Sequence, residues 1–105
     1  MKQYKVVVNK TAQDDFNRYV AYIRHVFNNP QAVKSLIQDF RDTKNRLATV
    51  AGSLAEPESE KLRSRGLKRL NFLRHNYFLL FLIDGDRAVI TKVFHTLEDY
   101  ENKLN

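Results

Sequence analysis

A strand with no polar face constrains this chain more than any other feature. Residues Tyr77-Phe-Leu-Leu-Phe-Leu-Ile83 form an unbroken apolar run, Asp84-Gly85-Asp86 is a tight-turn signal, and a second apolar strand extends from Ala88 to Phe94. A strand that alternates apolar and polar residues needs cover on one face; a continuous apolar run needs it on both. The chain must therefore supply two covers. One is a pair of helices upstream. The other is either a C-terminal helix or a bound partner.

The helices are legible from their stripes. Phe16, Tyr19, Val20, Ile23 and Phe27 recur at helical spacing over about residues 12–28, with Thr11 as the expected N-cap and Asp14 and Asp15 in the first turn. Asn29 and Pro30 then form a cap and first-turn pair, and Val33, Leu36, Ile37, Phe40, Leu47 and Val50 carry a second stripe to about residue 51, where Gly52 stops it. So short a linker makes the two helices an antiparallel hairpin. Residues 4–8 read as a strand, 52–60 as a surface loop, 68–74, 76–84 and 87–95 as an antiparallel meander, and 96–104 as a short helix. The expected fold is α+β: an N-terminal strand, a two-helix hairpin, a three-stranded meander and a short C-terminal helix, in one domain over residues 1–105. The aromatics Phe16, Tyr19, Phe27, Phe40, Phe72, Phe78, Phe81 and Phe94 are expected mostly in the core, and Leu97 at a packing position.

Charge is unevenly spread. The net charge is +6, and residues 61–105 hold nine of the eighteen cations but only five of the twelve acids. Lys61, Arg63, Arg65, Lys68, Arg69 and Arg74 follow one another with no acid between them, so Lys68, Arg69 and Arg74 are expected to face solvent. Such a surface suits nucleic acid or an acidic protein segment. The absence of cysteine rules out disulfides and thiolate chemistry and fits a reducing cytoplasm. No export signal is seen, and the longest apolar run is far short of the roughly 20 residues that span a bilayer.

Catalytic material is sparse. Ser35, Ser53, Ser59 and Ser64 lie in no nucleophile motif, and His25, His75 and His95 show no metal-ligand spacing. No metal or cofactor is expected. His25 reads as a solvated helix residue. What remains is the basic set with His95 and Tyr100, a combination that could stabilise a phosphorane-like transition state and move protons, as a metal-free ribonuclease requires.

The order of elements, the strand Asn76-Tyr-Phe-Leu-Leu-Phe-Leu-Ile-Asp84 and the ending Val93-Phe-His-Thr-Leu-Glu-Asp-Tyr100 resemble the RelE/ParE superfamily of bacterial toxins over nearly the whole chain. The resemblance implies the toxin of a type II toxin–antitoxin module, of the kind associated with plasmid stabilization and growth inhibition. It implies neutralisation by a cognate antitoxin, contact with operator DNA only through that antitoxin, and no membrane association. ParE-like members poison DNA gyrase; RelE-like members cleave mRNA in the ribosome. RelE-like nucleases place an arginine near the start of the penultimate strand, a tyrosine a few residues on, and another arginine after the last strand. Here those slots hold Tyr77 or Phe78, Phe81 and Leu97. The long helices also resemble the ParE side. The expectation is a ParE-like toxin acting on gyrase or another protein, the alternative a metal-free, ribosome-dependent endoribonuclease. The resemblance puts His95 and Tyr100 in the catalytic positions of such a nuclease. Arg63, Arg65, Lys68, Arg69, Arg74 and Arg87 are the candidate contacts to target or nucleic acid.

Overall fold

The computed structural model describes residues 2–104. Strand β1 (Lys5–Val8) leads into helix α1 (Lys10–Phe27) and helix α2 (Pro30–Val50), which continues as a 3-10 turn over Ala51–Ser53. A short helix α3 (Glu60–Ser64) precedes β2 (Lys68–Asn71), β3 (Tyr77–Asp84) and β4 (Arg87–His95), and α4 (Tyr100–Lys103) follows. The four strands form one sheet in the order β1-β4-β3-β2, with β1 parallel to β4 and the other pairs antiparallel. The helical hairpin is the crossover that a parallel β1–β4 pairing requires. The expected α+β architecture is the observed one.

The hairpin β3–β4 is covered on both faces. Tyr77, Leu79, Phe81, Ala88, Ile90 and Val93 pack with Ala12, Phe16, Val20, Val33, Leu36, Phe40 and Leu47 of the helices. Phe78, Leu80 and Phe94 pack on the opposite face with Leu62, Leu67 and Leu104. That second cover is built by α3 and the chain's own C-terminal segment. Each fully buried Leu or Phe contributes roughly 1.5–3 kcal/mol relative to exposure, so this small second cluster is a real share of the stability.

Local chemistry sets several boundaries differently from expectation. The N-cap of α1 is Asn9, not Thr11: the Asn9 side chain accepts from Ala12 N–H at 2.9 Å. Asp15 is buried rather than helping to cap the first turn, and accepts from Val93 N–H at 3.1 Å. Asn29 and Pro30 cap α2 as expected. Gly52 does not stop that helix but sits within the 3-10 turn, where an added Cβ would come 2.5 Å from the Tyr4 hydroxyl. Gly85 takes a φ of 63° at the β3–β4 turn, which only glycine adopts without strain.

The largest departure is in β2, which ends at Asn71 instead of near 74. Asp39, wholly buried on α2, accepts hydrogen bonds from the backbone N–H groups of Leu73 (3.1 Å), Arg74 (3.0 Å) and His75 (2.8 Å). A carboxylate that captures three successive amides takes them from the ladder, and the chain bends. The segment 96–104 is likewise not one helix: Glu98 N–H closes a turn onto His95 O at 3.0 Å, and only Tyr100–Lys103 is helical. Phe27 and Leu97 are exposed, at 63% and 88%, against the expectation that they pack.

Candidate functional site

The two candidate catalytic residues come from adjoining elements yet lie on opposite sides of the sheet. His95 ends β4, paired with Tyr77 of β3, and its ring stands edge-on to the Tyr77 ring at 4.9 Å on the helix-hairpin face. Tyr100 opens α4, and its ring meets Phe78 at 5.2 Å and Phe94 at 6.0 Å on the other face.

His95 anchors the turn that follows it. Its Nδ1 accepts from Leu97 N–H at 3.1 Å. An accepting Nδ1 leaves the neutral ring with its proton on Nε2, so the lone pair a general base would use is already committed. The His95 backbone N–H donates to Glu98 Oε1 at 2.9 Å and lies 3.3 Å from the Tyr19 hydroxyl. The Tyr19 hydroxyl itself donates to Glu98 Oε1, and Lys103 holds Glu98 Oε2 at 2.6 Å. Burial raises the Glu98 pKa, but the bonds from Lys103, Tyr19 and His95 outweigh it and bring the carboxyl down to about 2. Burial, then the Glu98 bond, pushes the Tyr19 hydroxyl well above its ordinary value. This is a closed network centred on a carboxylate.

The candidate cations divide by what they hold. Arg63 donates to the carbonyls of Pro57 and Glu58, and Lys68 to that of Leu54 at 2.9 Å, so both pin the 54–58 loop. Arg69 lays its guanidinium 3.7 Å from the Phe78 ring centroid and bonds Asn71 at 2.9 Å. Arg87 pairs with Asp84 at 2.6 Å across the hairpin turn. Arg74 pairs with Asp42 at 2.7 Å. Arg65 lies exposed at the end of α3, on a small hollow that Lys92 also lines. The expectation that Lys68, Arg69 and Arg74 face solvent holds for Arg74, which is exposed and paired with an acid, and is corrected for Lys68 and Arg69, which are half-buried. An acid far away in sequence, on α2, supplies that partner. His25 is exposed on α1, as expected.

Two hollows flank these groups. A groove of about 720 Å³ runs beside β2 between Arg46, Leu54, Pro57, Arg69, Phe72 and Tyr100. There β2 is the sheet's edge. Phe72 N–H donates to Tyr77 O, and antiparallel alternation then turns the amides of Arg69 and Asn71 outward. A second hollow of about 600 Å³, nearly all apolar, lies between α1 and the end of β4.

Sequence reading missed Asp39 and its ring partner: His75 Nδ1 lies 2.7 Å from Asp39 Oδ2. Burial raises the Asp39 pKa, but the His75 ring and the backbone amides of Arg74 and His75 more than offset this and hold the carboxyl below its usual range. The available signal was an acid on the buried stripe of α2, one position from Phe40. Among the described residues no cluster of His, Cys, Asp or Glu could hold a metal ion, and no helix is long and apolar enough to cross a membrane.

This arrangement of sheet, helical hairpin and C-terminal turn is that of the RelE/ParE superfamily. A family profile described as the ParE toxin of the type II toxin–antitoxin system, parDE, matches residues 6–100, and the chain belongs to that toxin family. Among solved structures it is similar to a chain of the chromosomal ParDE TA system from P. aeruginosa, with 19% identity, a TM-score of 0.73, and coverage of 89% of this chain and 96% of that one. It is also similar to a conserved hypothetical protein from Helicobacter pylori solved in solution, with 12% identity, a TM-score of 0.54, and coverage of 90% and 97%. No curated protein matches it.

Proposed function

We propose that this toxin acts by binding a protein target of the DNA gyrase type, not by cutting RNA, and that a cognate antitoxin neutralises it. The observation that carries this reading is the separation of His95 and Tyr100 by the sheet. General acid–base cleavage needs both groups within reach of one phosphate. His95 has its Nδ1 lone pair committed to Leu97, and Tyr100 packs its ring beneath Arg69 and against Phe78. Arg63, Arg69, Arg74 and Arg87 each hold a different local partner, so they do not converge as an anion clamp.

The antitoxin's proposed seat is the groove beside β2. It offers an open strand edge, apolar walls from Leu54, Phe72 and Tyr100, and cations from Arg46 and Arg69. An acidic, partly disordered segment could pair with that edge and place apolar side chains into the groove. The test is a gyrase supercoiling assay run beside a programmed-ribosome cleavage assay, each with and without the product of the neighbouring small gene. Loss of supercoiling with intact mRNA, reversed by that product, is the expected result. Codon-phased mRNA cleavage abolished by a folded His95→Ala variant would overturn it in favour of an endoribonuclease.

A further inference from the structure

The second hollow shares no lining residue with the groove beside β2 and has a shape of its own. Its walls are Tyr19, Tyr22, Ile23, Phe27, Tyr77 and His95, and Leu97 stands on its rim. Of these, Tyr22, Phe27 and Leu97 are 57%, 63% and 88% exposed. The two rings alone present roughly 180–300 Å², taking about 150–250 Å² for a whole aromatic side chain, and Leu97 adds to it. One side of a standard interface buries about 800 Å², of which about 56–65% is apolar. The patch therefore supplies about half or more of the apolar share of one such side.

Leu97 is an apolar knob set beside an apolar hole. The knob is rigid: its N–H is bound to His95 Nδ1, and the turn is closed by Glu98 onto His95. A two-fold axis beside such a pair puts each knob into the other copy's hole, since an isologous contact requires that i meet j and j meet i. The charges permit it. Arg18 and Lys103 are paired within the chain, at 3.1 Å with Asp15 and 2.6 Å with Glu98. The basic residues of α3 and β2 do not line this hollow. Asp99, exposed beside the knob, bonds only Asn102 among the described residues. It would face Arg18 at the edge of the opposite hole.

We infer that this face joins two copies of the chain, each Leu97 seated between Tyr22, Phe27 and Tyr77 of the other. The dimer leaves the open edge of β2 free on both copies. The test is sedimentation velocity on the purified chain from about 1 to about 200 μM, a span that brackets micromolar association. The 12.4 kDa chain should sediment as a species of twice that mass at the upper end. Leu97→Asp and Phe27→Asp alter exposed side chains and should leave circular dichroism and melting unchanged. Each should raise the dissociation constant at least about 30-fold, the loss expected for a central apolar anchor. A wild-type chain that stays monomeric throughout, or a dimer that both variants leave intact, overturns the inference. A monomeric wild type whose toxicity is lost in both folded variants also overturns it, and gives the face to the target instead.

Discussion

Replacing Asp39 with alanine should destabilise this toxin more than any other single polar change. The side chain is fully buried and receives three backbone amides, the His75 ring at 2.7 Å and the Thr43 hydroxyl at 3.3 Å. Leu73 and Arg74 are exposed residues, so water can reach part of that bend once the carboxylate is gone. If two of the five donors stay dry, at roughly 1–3 kcal/mol each, the loss is about 2–6 kcal/mol. That agrees with the roughly 3–5 kcal/mol found when one member of a buried charged arrangement is removed. A chain of this size has a total stability of about 5–15 kcal/mol, so the variant should fold, but marginally.

Urea unfolding followed by circular dichroism measures this directly. With a denaturant slope of about 1–3 kcal/mol/M, the midpoint should fall by roughly 2 M. His75→Ala removes one donor and leaves the amides satisfied, so it should cost only about 1–2 kcal/mol. Hydrogen exchange should show the amides of residues 73–75 protected in the wild type and open in Asp39→Ala. A loss below about 1 kcal/mol, with those amides still protected, would mean that the bend holds itself and that the carboxylate does not terminate β2.

Glu98 gives a pH prediction. Its carboxyl falls from an ordinary 4.5 to about 2 on folding, so its contribution is complete above pH 4.5 and is lost as pH falls towards 2; Glu98→Gln should flatten the melting-temperature profile over that window. His95→Ala should keep most of the growth inhibition, and the variant should cleave mRNA no less than wild type, because the group supports a turn; a toxicity assay paired with primer extension on cellular mRNA checks both. The triple change of Lys68, Arg69 and Arg74 to Gln should leave far-UV circular dichroism native. It should slow antitoxin association several-fold at low salt and much less at high salt, read by stopped flow.

Much of the fold was readable because it is local. The stripes of α1 and α2, the Asn29–Pro30 cap and the β3–β4 turn each depend on residues a few positions apart. Asn9 and Thr11 are both able caps two residues from each other, and only the acceptor geometry separates them. Helix α3 is too short to show a period; Ser59 and Glu60 were its only signal. The early end of β2 was not readable from β2, since its cause is Asp39, 34 residues before Leu73. Phe27 and Leu97 carry core residue types but lie on the face left open between α1 and the end of β4. The site turned on a single irregularity. Ala88 and Ile90 face the helices, and counting by twos would send Phe94 there and put His95 on the side of Tyr100. The register shifts between Leu80 and Phe81, and Thr91 is left without a partner in the ladder. That bulge reverses the alternation, so Val93 and His95 face the helices and Phe94 turns to Tyr100.

The charge of the 61–74 segment explains how a basic chain can lack a phosphate clamp and still attract an acidic partner. Lys61, Arg63 and Lys68 donate to the main-chain carbonyls of Glu101, Pro57, Glu58 and Leu54, which carry no formal charge. Arg69 bonds an amide and stacks on a ring. Those bonds fix the side chains to separate points on the 54–58 loop, α4 and the sheet, and so remove the freedom to converge on one phosphate. They do not neutralise them. Only Arg74, Arg87 and the other carboxylate-paired cations lose their field at short range. A set of immobilised, uncancelled cations around an open strand edge raises the local concentration of an acidic segment over a Debye length of about 8 Å. The strand edge and the apolar groove then supply the short-range affinity. Catalysis on RNA would need those same cations aimed at one point; capture of an acidic antitoxin needs them only to be near.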